Sequence, residues 1–379
     1  MKVKHLPIYA AMLASALATF TACNDEWKEE QYTQYVSFRA PLGKLGVTDV
    51  YVPYSRRNAD KTFVEGSGLS SYKLPVIVSG SLQNENNITV HIAHDGDTLN
   101  VLNQARFLNR TELWYTDMKD YATIPETTTI PSGENVGLLN VKFNFNGIDM
   151  SNKWVLPLTI VNGENYGYTA HPRKNYAKAL LRIFPFNDYS GDYSGSTMKI
   201  FVTGDEANAT AKSIIRGYVV DDKTVFFYAG DIDESRTDRA KYKVFARFNG
   251  EKEGTVDFYT TNNDLKLKVN KQASFHIIEQ KDDVKPYLVH RYVIINNISY
   301  DYVDYTSAPG TEFNWSVSGT LTLERQINTQ IPDEDQAIEW ERSRLSPKGG
   351  HVFNKRHSWA LIHFVELFQS HSTSLRKIC

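Results

Sequence analysis

Cysteine is nearly absent: Cys23 and Cys379 are the only two in 379 residues. A disulfide framework is therefore excluded, and so are thiol catalysis and zinc–thiolate sites between them. Catalytic signatures are missing as well. The chain has no Gly-x-Ser-x-Gly elbow, no His-Glu-x-x-His helix, no phosphate loop and no dinucleotide fingerprint. Charge of one sign is also lacking. A formal net charge of −2 offers no basic surplus for a nucleic-acid partner. Heptads and long helical periods do not occur. The apolar run at residues 6–20 falls short of the roughly 20 residues that a permanent membrane span needs.

That short run has a different meaning. Lys2 and Lys4 precede it, and Thr21, Ala22 and Cys23 follow it, the order of a secretory signal. Phe20-Thr21-Ala22-Cys23 resembles a bacterial lipobox, with Phe20 in place of the usual leucine. The resemblance implies removal of residues 1–22 and lipidation of Cys23, which becomes the membrane anchor. Residues 23–33 then form a tether with acidic Asp25, Glu26, Glu29 and Glu30. Acidic residues at that place resemble the surface-export signal of Bacteroidetes lipoproteins and imply the outer face of the outer membrane. The alternatives are an ordinary signal peptide and a linker without an address.

The remainder reads as all-β. Tyrosine (22) and phenylalanine (19) are abundant, and Val, Ile and Thr recur in short runs. Residues 87–94 alternate, and so do residues 136–145, with Gly137, Leu139, Val141, Phe143 and Phe145 directed to a core. Strand signals at this spacing predict an N-terminal Ig-like β-sandwich over 34–187. Residues 103–131 read as one long irregular stretch within it. A run of glycines and small polar residues near 187–195 marks a boundary. Beyond it, strands predicted at 198–202, 214–220, 224–229, 241–248, 254–259, 265–269, 273–279, 289–295 and 315–323 are joined by Asn- and Asp-rich turns. This is an antiparallel meander over 188–340, either a lipocalin-like barrel or a second sandwich. Residues 341–379 break the pattern with seven basic residues and four histidines. They read as an ordered cap or as an extension unrelated to the fold, and carry no assigned function.

Sites are sparse. The carboxylate pairs Asp95/Asp97, Asp231/Asp233 and Asp301/Asp304 sit in turn-like contexts and read as solvated turns rather than catalytic pairs. Residues from Asp231 start like an EF-hand loop but place Arg236 where glycine is required. No metal, cofactor or catalytic residue is assigned. Aromatic chemistry remains. Rings can stack on pyranose faces while amides and carboxylates bind hydroxyls. Trp114 and Tyr115, flanked by Asn109, Glu112 and Asp117, are candidate glycan contacts. Tyr302 and Tyr305, beside Asp301 and Asp304, are a second pair. For each the competing reading is a core or barrel-wall ring. Trp154 opens an apolar strand and is read as core.

Ile77-Val78-Ser79-Gly80, Ile130-Pro131-Ser132-Gly133-Glu134, Trp154-Val155-Leu156-Pro157-Leu158 and Asn187-Asp188-Tyr189-Ser190-Gly191 follow one another in that order. Together they resemble a Bacteroidetes surface-lipoprotein family of unknown function, with an Ig-like N-terminal domain and a variable C-terminal β-domain. The resemblance covers about residues 34–195, and 316–323 resembles the closing strand of one such C-terminal domain. It implies a non-enzymatic lipoprotein, SusE/SusF-like in role, that binds poly- or oligosaccharide beside a SusC/SusD-like transport pair. The rivals are a structural or adhesion lipoprotein with a protein partner, and a cryptic glycoside hydrolase. Related modules occur on chitinase-like enzymes, whose Asp-x-x-Asp-x-Asp-x-Glu motif is absent here.

Overall fold

The computed structural model describes residues 32–58 and 60–330, so the expected signal segment, Cys23 and the 341–379 tail lie outside the described residues. Its first half contains β1 (Val36–Phe38), β2 (Thr48–Pro53), β3 (Leu69–Val78), β4 (Ile88–His94), helix α1 (Gly96–Phe107), β5 (Tyr115–Asp117), β6 (Ala122–Thr123), β7 (Thr127–Ile130), β8 (Val136–Asn144), β9 (Lys153–Ile160) and β10 (Lys178–Phe186). Two sheets result. One has the order β1-β3-β8-β6; the other runs β2-β10-β9-β4-β7, with β5 also on β9. β8 alternates residue by residue, with Gly137, Leu139, Val141 and Phe143 buried, so one face joins the core and the other meets water. β9 and β10 are buried on both faces and read instead as continuous apolar runs. Leu74, Val76, Leu139 and Val141 of the first sheet pack with Val90, Leu156, Leu158 and Leu181 of the second in one core. This is a β-sandwich, though β2–β10 and β5–β9 pair in parallel.

Residues 103–131 are not the irregular stretch that the sequence suggested. They hold the end of α1, three short strands and two turns of 3-10 helix. Nor are Asp95 and Asp97 a solvated turn. Asp95 caps α1, accepting from Thr98 N at 3.2 Å, and its side chain is only 10% exposed and ion-paired with Lys178. Asp97 lies in the first turn of that helix, where the backbone dipole favours an acid.

The second half comprises β11 (Gly191–Ser194), β12 (Lys199–Val202), β13 (Ile214–Val219), β14 (Thr224–Tyr228), β15 (Lys243–Gly250), β16 (Glu253–Tyr259), β17 (Lys268–Val269), β18 (Ala273–Lys281), β19 (Leu288–Ala308) and β20 (Thr311–Asn328). Pairings run β11-β13-β14-β15-β16-β18-β19-β20 and return from β20 to β11, all antiparallel. The circuit closes as an eight-stranded barrel, and β12 and β17 extend its wall, pairing with β20 and β19 along the edges that β11 and β18 use. Tyr193, Phe227, Val244, Phe248, Phe275, Ile295 and Leu323 are all buried. A void of about 20 Å³ lies among Met198, Ile200, Phe227, Phe258 and Tyr300. An interior of this strand number can be filled by side chains alone.

β19 and β20 are far longer than the strands predicted at 289–295 and 315–323. Asn296-Asn297 read as a turn. In the fold the register instead shifts between Ile295 and Ile298, with Asn297 at φ 60°, so a bulge lets the strand continue.

Candidate functional site at the junction of sandwich and barrel

The connection between the halves is a tight turn over residues 187–190. Asn187 builds it: its Oδ1 accepts from Tyr189 N (2.9 Å) and Ser190 N (2.8 Å), while its Nδ2 donates to Asp221 O (2.6 Å). An asparagine side chain that imitates backbone is a usual way to hold such a turn. Tyr189 then enters the barrel. Its ring stacks on Phe248 at 4.0 Å and meets Phe275 edge-on at 5.7 Å, and its carbonyl accepts from Tyr193 Oη at 2.5 Å. The turn and its tyrosine plug one end of the barrel.

Beside this plug lies a cleft of about 180 Å³, lined by Pro53, Ser55, Arg56, Arg57 and Val64 of the sandwich, by Phe186, Asn187 and Asp188, and by Asp222, Arg291, Arg325 and Ile327 of the barrel. Arg291 and Arg325 are direct cross-strand partners on β19 and β20. Arg291 Nη1 donates to Asp188 Oδ1 at 2.6 Å. Arg325 Nη2 donates to Asn187 O (3.0 Å) and Ser190 O (2.8 Å), and its guanidinium lies over the Phe186 ring at 5.3 Å. Burial pushes the Arg325 pKa down to about 10, with Asp188 opposing that shift. Burial would raise Asp188, but Arg291 and Arg325 outweigh it and hold the carboxyl below its ordinary value. Across the cleft, Arg57 Nη2 donates to Asp222 Oδ1 at 3.0 Å, and Ser67 Oγ donates to its Oδ2 at 2.6 Å. Arg56 donates to Ser71 O through Nε and Nη2. Sandwich and barrel thus share the walls. Apolar surface beside a few convergent polar groups at a barrel mouth is the usual make-up of a small-ligand site.

None of the four aromatic residues expected to contact glycan lines this cleft. Tyr115 is 4% exposed and packs in a small core with Leu99, Val155 and Leu180, so it is a core ring and not a solvent-facing platform. Tyr302 is likewise corrected. It is 2% exposed, burial drives its phenol pKa far up, and its hydroxyl packs against Gly230. A Cβ at Gly230, whose φ is +50°, would sit 2.4 Å from that oxygen. Trp114 is half-buried, and its indole N–H donates to Leu108 O at 3.1 Å. Tyr305 is half-buried against Tyr242 and accepts from Asn262 Nδ2 at 2.9 Å. Trp154 is 8% exposed in the core, as read.

Asp304 is not a solvated-turn residue either. It is buried and accepts from Arg236, Tyr242 and Ser307, and Arg236 also pairs with Asp238. Burial alone would raise the Asp304 pKa, but these donors hold it well below the carboxylate range. Arg236, the residue that spoils the EF-hand pattern, is the hub of this network. Among the described residues no group of three His, Cys, Asp or Glu side chains is placed to hold a metal.

The fold and cleft together define a class: a β-sandwich followed by a closed β-barrel, with a cleft of about 180 Å³ where they meet. Over 82% of this chain and 100% of the other, the protein is 54% identical to an auxiliary nutrient binding protein from Bacteroides thetaiotaomicron, with a TM-score of 0.74. The chain belongs to that family. It is also 41% identical to a multidomain protein including DUF1735 from Bacteroides ovatus (80% and 99% covered, TM-score 0.68). A protein of unknown function from the same species is 34% identical (84% and 98% covered, TM-score 0.68). A domain of unknown function, DUF4973, matches residues 27–164, and a second family model, described only as "-like, C-terminal", matches 177–322. Comparison with curated proteins gives no match.

Of the cleft residues, only Asn187 and Asp188 were singled out in the sequence, and those as a boundary and not as a site. Arg56-Arg57 is visible there as a basic pair. The pairing of Arg291 with Arg325 depends on strand register, which a local pattern does not carry.

Proposed function

We propose that this chain is a surface lipoprotein of the outer membrane, anchored through Cys23, that binds poly- or oligosaccharide at the cleft between sandwich and barrel. It acts by holding a glycan for uptake beside a SusC/SusD-like transport pair, SusE/SusF-like in role, and not by cleaving it. The observation that carries this reading is the cleft, where Phe186, Val64 and Ile327 offer apolar surface next to guanidinium, amide and hydroxyl groups. Sugar recognition needs that combination, with area for the ring and hydrogen bonds for the hydroxyls. Similarity over 82% of this chain to a protein named for nutrient binding supports it. The lipobox-like segment and the acidic tether support the location.

The test is a glycan array and affinity gels with the protein lacking residues 1–23, followed by calorimetry on any hit. Retention of at least one glycan class without release of shorter products is expected. Product release would identify a hydrolase. Absence of glycan binding together with capture of one outer-membrane protein would identify an adhesion role.

A further inference from the structure

We infer that the saccharide held at this cleft carries an acidic group, a carboxylate or a sulfate, which docks between the guanidinium groups of Arg57, Arg291 and Arg325. The inference rests on the saccharide reading above and narrows it. Four arginines line the cleft against two carboxylates, Asp188 and Asp222, in a chain whose formal net charge is −2. The local surplus is therefore not a reflection of overall composition.

The register sharpens the point. Arg291 and Arg325 stand directly opposite one another on β19 and β20. Like charges at that spacing destabilise a sheet, and both Asp188 on the turn and Glu279, opposite Arg291 on β18, supply counter-charge to Arg291. Donors also remain. A guanidinium offers five N–H groups. Arg291 commits Nη1 to Asp188 and its buried Nε to an ion pair with Glu279 at 3.7 Å, so of its nitrogens Nη2 has none of these contacts. Arg57 commits Nη2 to Asp222, and its guanidinium lies over the Phe63 ring at 5.2 Å. Paired N–H groups on a planar fork match the oxygens of a carboxylate or sulfate. A cleft of about 180 Å³ lies below the roughly 300–1,000 Å³ of sites that enclose drug-sized ligands. One charged ring or a chain end fits it better than an enclosed oligosaccharide.

Calorimetry would compare trigalacturonate, which carries carboxylates, and a κ-carrageenan tetrasaccharide, which carries sulfates, with neutral maltotriose and xylotriose. Tighter binding of either acidic probe, weakened by added salt and about tenfold or more by Arg57→Gln, is expected from the loss of a charge-assisted contact. The arm that binds names the acid. Arg57 is 31% exposed and Asp222 keeps Ser67, so this variant folds. Arg291→Gln, checked by circular dichroism, is the second variant. Equal or tighter binding of the neutral probes, or acidic binding indifferent to both substitutions, would overturn the acid assignment and leave the saccharide reading standing. Failure of every glycan in the panel and on the array would overturn both.

Discussion

Replacing Tyr189 by alanine tests whether the interdomain turn is a plug or merely a connection. The ring is 5% exposed and contacts Phe248 and Phe275 inside the barrel. Truncating a buried aromatic to alanine costs about 3–5 kcal/mol, part of it from the cavity left behind. The cavity term should be near its full value here. The walls are strands in a closed hydrogen-bonded circuit and cannot collapse inward as a loop could. At about 2–4 °C per kcal/mol for a domain of this size, the melting temperature should fall by on the order of 10 °C. Tyr189→Phe keeps both ring contacts and should lose no more than about 1 kcal/mol. Chemical denaturation and thermal circular dichroism on both variants are the assay. A fall of less than about 3 °C for Tyr189→Ala would refute the plug, because the ring would then contribute no more than a surface side chain. A large loss for Tyr189→Phe would locate the stabilisation in the hydroxyl instead.

Trp114→Ala should lower stability by about 1–2 kcal/mol, through a half-buried ring and one indole hydrogen bond; because Trp114 does not line the cleft, glycan affinity should not change, and a strong loss would return it to the binding surface. Cys23→Ala should abolish acylation and move the protein out of the membrane fraction; unchanged membrane association would refute the anchor. His290 is flanked by Asp282 at 3.0 Å and Glu324 at 3.0 Å, whose hydrogen bonds raise its pKa above the ordinary 6.5, while His290 and backbone donors lower Asp282 to about 2. The histidine's contribution is fully present below pH 6.5 and is lost as pH rises through its raised value. The aspartate's contribution is present above 3.8 and is lost as pH falls through about 2. Urea denaturation of His290→Gln against the parent should therefore show the largest gap between these limits, at about pH 4–6, and little gap at pH 9.

Local pattern was sufficient for much of the fold. The alternation of residues 136–145 placed Leu139, Val141 and Phe143 in the core, because a strand with one wet face must sort its side chains by twos. The turn-rich stretch from Asn187 marked the break between the two sheet systems, because small polar residues there can bond their own backbone. Helix α1 escaped notice for a physical reason. Its buried positions are only Leu99 and Asn103, and Asn103 is polar because it bonds both backbone groups of Tyr115, so no apolar stripe advertises the helix. Tyr115 and Tyr302 look like any surface aromatic until packing shows which face of a strand is inward. Closure of the barrel, the bulge at Asn297, and the meeting of Arg57 from the sandwich with Arg291 and Arg325 from the barrel are long-range facts. Residues far apart in the chain become neighbours only through register and packing. Composition and periodicity are local quantities, so the β-architecture was legible in the sequence, while the cleft and its charge were decided by the tertiary structure.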